Sequence, residues 1–92
     1  MAEVVWPPTA TDQIDQIVAY IAQHDPVAAV MMRDRIYALG NSLVDFPHRG
    51  RPASGGHREL VTASPYVLRY AVDGARVTIL GVRHGAQRDF QA

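Results

Sequence analysis

The last third of this 92-residue chain contains three short apolar runs that lie close together. They cover residues 58–63, 66–72 and 76–84. Ser64-Pro65 separates the first run from the second, and Asp73-Gly74 separates the second from the third. An Asp-Gly pair between such runs is a strong hairpin signal, because glycine supplies the positive φ angle that a tight turn requires. The pattern therefore predicts an antiparallel three-stranded meander.

The first part of the chain predicts a short strand followed by a helix. Residues 3–6 have the pattern of a strand, which Pro7-Pro8 must end because proline cannot donate to a sheet ladder. A helix follows, with Thr9 or Thr11 expected as its N-terminal cap. Its apolar stripe recurs at helical spacing and comprises Ala10, Ile14, Ile17, Val18 and Ile21.

A second helix is predicted from Pro26 to about Val44. Asp25 is suited to cap it, and proline is tolerated at the first helical position, where an N–H would have no helical partner. The apolar stripe of this helix comprises Ala29, Met32, Ile36, Leu39 and Leu43. The few residues between the two helices favour an antiparallel helical hairpin. Residues 48–57, rich in glycine and proline, are predicted to form a loop.

Together these elements predict one α+β domain over residues 1–92, in the order β-α-α-β-β-β. A two-layer arrangement buries both helical stripes against one face of the sheet. Side chains alternate along a strand, so one set in the central run is expected to face the helices: Tyr66, Leu68, Tyr70 and Val72. Arg69 is then expected on the open face of the sheet, with only small or apolar neighbours.

The composition of the chain excludes several classes of protein. The chain has no cysteine, which excludes a disulfide framework and a thiolate metal site. No apolar run approaches the ~20 residues of a membrane helix, and the N-terminus lacks the pattern of a secretory signal. His48 and His57 have no carboxylate or thiol neighbours at ligand spacing. We therefore expect a cytoplasmic protein with no metal, no cofactor and no membrane partner.

The charge is unevenly distributed along a chain whose net charge is zero. Residues 1–48 hold two arginines against six carboxylates, a net charge of −4, whereas residues 49–92 hold seven arginines against three carboxylates, a net charge of +4. All nine basic residues are arginine. Codon composition would account for the absence of lysine but not for the asymmetry. An arginine-rich half is suited to an anionic partner, because the planar guanidinium group matches carboxylates and phosphates.

Several short motifs follow one another along nearly the whole chain. They are Val5-Trp6 ahead of Ala10-x-x-Asp12, then Tyr20-Ile21, Asp25-Pro26-x-Ala28-Ala29, Pro47-x-x-Gly50-Arg51, Arg58-Glu59-Leu60-Val61, Tyr66-Val67-Leu68-Arg69-Tyr70 and Val77-x-Ile79-Leu80-x-Val82-x-His84-Gly85. In this order and spacing, the chain resembles the ParE/RelE superfamily, the toxins of bacterial type II toxin–antitoxin modules.

The resemblance implies a growth-inhibiting toxin of the kind that serves plasmid stabilisation, held inactive by a cognate antitoxin in a hetero-oligomer. Members resembling ParE poison DNA gyrase, whereas members resembling RelE cleave mRNA on the ribosome. Family members bind an antitoxin segment along the helical hairpin and the sheet. The residues expected to contact the antitoxin are Trp6, Ile17, Tyr20, Arg33, Tyr37 and Arg58.

The choice between the two targets depends on the chemistry of the site. Metal-independent RNA cleavage requires a base, an acid and cations at one phosphate. His84 is suited to act as base or acid, and Arg69, Arg83 and Arg88 are suited to supply positive charge. Tyr66 or Tyr70 offers a hydroxyl, although both belong to the face expected to be covered by the helices. The chain departs from the nuclease branch at two positions. The resemblance implies an arginine in that branch where this chain has Val67, and an aromatic hydroxyl near the C-terminus where this chain has Phe90.

We therefore predict a toxin of the ParE kind, which binds gyrase and performs no chemistry itself. The residues predicted to face the target are Arg69, Arg83, His84 and Arg88. A ribosome-dependent mRNA endonuclease that uses the same four residues is the alternative. A toxin-derived protein that has lost its activity, and persists through its antitoxin complex, is a third interpretation.

Overall fold

The computed structural model of the chain describes residues 3–61 and 65–85. In chain order its elements are β1 (Glu3–Val5), α1 (Pro8–Ala22), α2 (Pro26–Asn41), a 3-10 turn (Ser42–Val44), β2 (Arg51–Pro52), a second 3-10 turn (Ser54–Gly56), β3 (Arg58–Val61), β4 (Tyr66–Asp73) and β5 (Arg76–His84). The predicted fold is confirmed: an N-terminal strand, a helical hairpin and a three-stranded meander form an α+β arrangement. Residues 62 and 63 of the first predicted meander strand lie outside the described residues.

The strands form one sheet in the order β1-β5-β4-β3-β2. β3, β4 and β5 are antiparallel neighbours, and Gly74 adopts a φ angle of +58° in the predicted tight turn between β4 and β5. β1 runs parallel to β5 at one edge. β2 lies at the other edge, inside the segment predicted to be a loop, so that part of the prediction is wrong. Both edge strands are very short, which limits pairing with other chains.

The first helix begins earlier than the threonine pattern predicts. It starts at Pro8, and its N-cap residue Pro7 makes no side-chain capping bond. The Thr11 hydroxyl instead donates to the Pro8 carbonyl oxygen at 3.1 Å. The expected threonine cap is therefore wrong, because the φ angle fixed by a proline at the helix start already favours the first turn.

The second helix begins as predicted. The Asp25 carboxylate accepts a hydrogen bond from the Ala28 backbone N–H at 3.0 Å, which satisfies one of the free N–H groups of the first turn. The α-helix ends at Asn41, three residues before the predicted end at Val44. The 3-10 turn of residues 42–44 continues the chain and buries Leu43 beneath the sheet edge.

The core lies between the helices and one face of the sheet. Leu68 and Tyr70 of β4 are fully buried together with Ile14 of α1 and Ile36 of α2. Tyr66 is also buried and Val72 packs against the cluster, which confirms the predicted helix-covered face. Removing apolar surface of this kind from water supplies the main driving force for folding.

A hydrogen bond from the core fixes the segment that leads into β2. The Tyr70 hydroxyl accepts from the Gly50 backbone N–H at 2.8 Å, and the Arg58 guanidinium donates to the Gly50 carbonyl at 2.7 Å. A side chain at position 50 would collide with the Glu59 carbonyl and the Tyr70 ring. Glycine is required there because two other parts of the chain approach its backbone closely.

Candidate functional site

Four charged residues meet on the face of the sheet that the helices leave uncovered. We call them the open-face cluster: Arg51, Glu59, Arg69 and Arg83. Arg51 stands opposite Glu59 in the β2–β3 pairing, and Glu59 stands opposite Arg69 in the β3–β4 pairing. Directly opposite residues of antiparallel strands share a face and lie close together. Strand register therefore brings these charges to one place.

Glu59 is the centre of the open-face cluster. Its side chain is only 5% exposed, and Arg83, only 10% exposed, donates to both of its carboxylate oxygens at 3.2 and 3.3 Å. The exposed Arg51 approaches the same carboxylate at 3.4 Å from the edge strand. A carboxylate this deeply buried is stable only when it is paired. The arginines therefore serve the fold at least as much as any partner.

Arg69 lies on the open face, as predicted, but its surroundings differ from the prediction. It is 8% exposed, and its guanidinium donates to the Ser54 carbonyl at 3.0 Å and to the Ser54 hydroxyl at 3.2 Å. The expectation of small or apolar neighbours is wrong, because the 3-10 turn that contains Ser54 supplies polar groups to this side chain. Direct contact between Arg69 and another molecule would require this turn to move.

A groove of about 610 Å³ opens where α1 meets the last residues of β5. Its lining residues are Gln13, Gln16, Ile17, Tyr20, Tyr66, Val82, Arg83 and His84. Ile17 and Tyr20 belong to the predicted antitoxin surface, whereas Arg83 and His84 belong to the predicted target surface. The structure thus brings parts of two separately predicted surfaces together.

Among the described members of the predicted target-facing set, His84 is exposed, whereas Arg83 is half-buried and Arg69 is buried. Its imidazole ring lies edge-on to the Tyr66 ring, with centroids 5.5 Å apart. Arg88, the fourth member of that set, lies outside the described residues. Within residues 3–61 and 65–85, no three histidine or acidic side chains are grouped so that they could hold a metal ion.

Sequence reasoning did not identify the two glutamines of the groove. The Gln13 side-chain oxygen accepts from the Val82 backbone N–H at 3.0 Å, beside a β-bulge in the pairing of β4 with β5. Gln13, Gln16 and Tyr20 recur at offsets of three and four residues, so a helical projection of α1 places them on one side of the helix. That spacing is the sequence signal that could have identified the two glutamines as groove residues.

The other residues predicted to contact the antitoxin lie away from the groove. Trp6 donates to the Asn41 side-chain oxygen at 2.9 Å, and its ring centroid lies 4.6 Å from that of Tyr37. Burial, with a smaller contribution from the Asp15 carboxylate, raises the pKa of Tyr37 above its ordinary value. Trp6 and Tyr37 thus form a packing contact on α2.

The two arginines predicted to contact the antitoxin are separated in the structure. Arg33 is exposed on α2 and pairs with Asp34 at 3.2 Å. Arg58 is half-buried on β3, next to the edge strand β2, and it donates to the Gly50 carbonyl. The predicted antitoxin residues therefore occupy four places: the groove, the Trp6–Tyr37 contact, the exposed Arg33–Asp34 pair on α2 and the Gly50 segment.

Comparison with known proteins identifies the family. The sequence model of one protein family, described as the ParE toxin of the type II toxin–antitoxin system parDE, matches residues 4–89 of this chain. The chain belongs to this family. It is 42% identical to Toxin RelE2 of Caulobacter vibrioides over 87 residues, which cover 95% of this chain and 99% of that protein. It is 28% identical over 82 residues to Toxin RelE1 of the same organism, covering 86% and 88% of the two chains.

The fold of the family is seen in a solved structure as well. A chain of the chromosomal ParDE toxin–antitoxin system from P. aeruginosa superimposes on this protein with a TM-score of 0.83. The match covers 91% of this chain and 96% of the other, at 22% sequence identity. This ParE-family protein is thus the toxin component of a type II toxin–antitoxin module, and a cognate antitoxin is its partner. No helix within the described ranges is long and apolar enough to cross a membrane.

Proposed function

We propose that this ParE-family toxin inhibits DNA gyrase in the cytoplasm by direct binding, without performing chemistry. The observation that supports a binding role is that the arginines of the open-face cluster are already paired within the protein. Its two least exposed arginines are engaged by protein groups: Arg83 by the Glu59 carboxylate, and Arg69 by Ser54. A nuclease would need such cations available to an incoming phosphate.

The remaining candidates for catalysis also fit a nuclease poorly. RNA cleavage requires cations at the reacting phosphate in addition to groups that transfer protons. His84 is exposed, but Val67, the position at which the nuclease branch is expected to carry an arginine, is a buried apolar residue of the open face. These features favour recognition over bond cleavage.

The proposed contact with gyrase centres on the end of β5. His84 is exposed there, and Arg83 is also among the residues that line the groove. Arg88 remains part of the proposal through its sequence position alone. Arg69 is proposed to act indirectly, because its hydrogen bonds to Ser54 hold the turn over the open face.

We propose that the antitoxin occupies the α1–β5 groove and so blocks the target surface. The groove lining includes the apolar side chains of Ile17 and Val82 and the largely exposed ring of Tyr20. An amphipathic segment that inserts apolar side chains into such a groove would cover His84 as well. Competition for one groove explains neutralisation without a conformational change.

A ribosome-dependent mRNA endonuclease is the second candidate. Two of the similar proteins bear RelE names, and an exposed histidine lies next to an arginine at the end of β5. Under this alternative, Arg83 would leave Glu59 when RNA binds.

One experiment separates the two candidates. The purified toxin is added to a gyrase supercoiling reaction and, in parallel, to ribosomes that are translating a defined mRNA. We expect loss of supercoiling, restored by the antitoxin, with the mRNA intact. Cleaved mRNA together with unchanged supercoiling would overturn the proposal in favour of the endonuclease.

A residue-level test uses His84→Ala, because this side chain is exposed at the end of β5. This variant should lose gyrase inhibition while it still binds the antitoxin. Thr9→Ala, an exposed change at the start of α1, is the matched control and should retain both properties. If His84→Ala inhibits gyrase as strongly as the unchanged protein, the proposed contact surface is wrong.

A further inference from the structure

The last residues of β5 are paired with another strand on one side only. β1 pairs with β5 at residues 76–78, whereas the pairing of β5 with β4 continues to His84. Among the described residues, no strand borders the outer edge of β5 beyond residue 78. The ladder with β4 is itself interrupted by a β-bulge, at which Leu80 has no opposite residue. A bulge bends its strand and changes the direction of the side chains that follow. The direction of the end of β5 therefore depends on a contact other than a strand.

A side chain of α1 supplies that contact. The Gln13 side-chain oxygen accepts a hydrogen bond from the Val82 backbone N–H at 3.0 Å, two residues after the bulge. Val82 is only 5% exposed, and a buried backbone N–H requires an acceptor. The helix at this point is anchored against the core, because Ala10 and Ile14 are fully buried. The amide of Gln13 thus takes the place of a carbonyl group from a neighbouring strand.

Gly81 leaves the space that this amide occupies. A Cβ atom at position 81 would collide with the side-chain oxygen of Gln13. Gly81 is not among the glycines with a positive φ angle in the described part of the chain, so its backbone conformation does not itself require glycine. The close approach of the amide accounts for the missing side chain. Two residues far apart in the sequence are therefore matched so that one hydrogen bond can form.

We propose that Gln13 is a positioning residue, which holds the end of β5 so that His84 is presented at the α1–β5 groove. His84 follows Val82 by two residues, so its side chain lies on the same face of the sheet. The His84 ring lies edge-on to Tyr66, its opposite residue in β4. Fixing the backbone at Val82 fixes the strand that carries His84. The effect of Gln13 on gyrase rests on the proposed function, whereas its effect on β5 does not.

Hydrogen exchange at the Val82 amide tests the hydrogen bond itself. Gln13→Met removes the acceptor but keeps the length and the helix propensity of the side chain. The Val82 amide should then exchange at least about tenfold faster in NMR measurements, because the N–H no longer has its acceptor. Gln13→Glu keeps an oxygen acceptor and should restore slow exchange. Gln23→Met changes an exposed glutamine just after α1 and is the matched control, with exchange as in the unchanged protein.

The NMR signals of the His84 ring separate positioning from a general contribution to stability. The Tyr66 ring displaces these signals because the two rings are held edge-on, with centroids 5.5 Å apart. In Gln13→Met, at a temperature at which the variant is fully folded, the signals should move toward those of a histidine in an unstructured peptide. A residue that only stabilised the fold would lower the melting temperature and leave these signals unchanged.

Gly81→Ala tests the same contact from the side of the strand. Its methyl group displaces the Gln13 amide, so this variant should reproduce the changes in Val82 exchange and in the His84 signals. The double variant Gln13→Met, Gly81→Ala should differ from the unchanged protein no more than either single variant does, since both changes remove one hydrogen bond. In the supercoiling assay, each single variant should inhibit gyrase about tenfold more weakly, because its contact residues are less preorganised.

Two results would overturn the proposal. One is that the His84 signals of folded Gln13→Met match those of the unchanged protein, whatever the rate of exchange at Val82. The other is that Gln13→Glu behaves like Gln13→Met, which would mean that the acceptor has no special role. If the unchanged protein does not inhibit gyrase, the proposed function fails, while the exchange and the ring signals still decide the role of Gln13.

Discussion

Replacing Glu59 with glutamine tests whether the open-face cluster holds the sheet together. Glutamine keeps the shape of the side chain but removes the charge that Arg83 and Arg51 share. Arg83, whose side chain is 10% exposed, would then be a buried cation without its carboxylate. Removing one member of a buried ion pair costs about 3–5 kcal/mol of unfolding free energy.

That cost is large for a protein of this size. Small domains have a total unfolding free energy of about 5–15 kcal/mol. For domains of 60–100 residues, each kcal/mol lowers the melting temperature by about 4–8 °C. We therefore expect Glu59→Gln to lower the melting temperature of the isolated toxin by at least ~12 °C, measured by calorimetry or circular dichroism.

The sheet contains a matched control in Glu3 and Arg76, which pair at 3.0 Å near its other edge. Their side chains are 58% and 62% exposed, so solvent screens the pair. Glu3→Gln should cost less than about 1 kcal/mol. The double variant Glu59→Leu, Arg83→Met should recover most of the stability lost in Glu59→Gln, because apolar replacements leave no charge buried.

The reasoning is refuted if Glu59→Gln and Glu3→Gln change the unfolding free energy by the same amount. Burial would then have no influence on the strength of the pair. A fully stable Glu59→Gln variant would also revive the endonuclease candidate, because it would mean that Arg83 does not depend on its carboxylate partner.

Three further predictions follow from individual contacts. Gly40→Ala should lower the unfolding free energy by about 1–3 kcal/mol in chemical denaturation, because its new methyl group meets the Trp6 ring. Burial raises the pKa of Tyr37, so the unfolded chain loses this proton at a lower pH than the folded chain does. The contribution of this difference to stability is complete below the ordinary pKa of 10.0 and is lost as the pH rises through the folded-state pKa, so Tyr37→Phe should flatten this part of the stability–pH curve. Tyr20→Ala, which removes an exposed ring at the groove, should weaken antitoxin binding at least tenfold in calorimetry while the melting temperature stays unchanged.

Local chemistry made much of the fold predictable from the sequence. The Asp73-Gly74 turn and the alternation of Tyr66, Leu68 and Tyr70 specify a hairpin and its buried face within a few residues. The Asp25 cap likewise depends on a contact only three residues away. Such features require no knowledge of the rest of the chain.

Long-range contacts explain what the sequence did not reveal. β2 has only two residues, and its position depends on a hydrogen bond between Gly50 and Tyr70, twenty residues further along the chain. The surroundings of Arg69 depend on Ser54, which approaches only after the turn has folded over the sheet. The groove combines α1 with the end of β5, so Gln13 gave no sign of its partner, Val82.

The hydrogen bond between Tyr70 and Gly50 links the core of the molecule to charged side chains on its surface. The Tyr70 side chain is fully buried in the core, while the backbone that it holds at Gly50 leads directly into Arg51. A substitution in the interior that tilts this ring would shift a guanidinium on the surface, although no surface residue had changed. Related toxins can therefore diverge in the partners that their surfaces recognise through substitutions at buried positions alone.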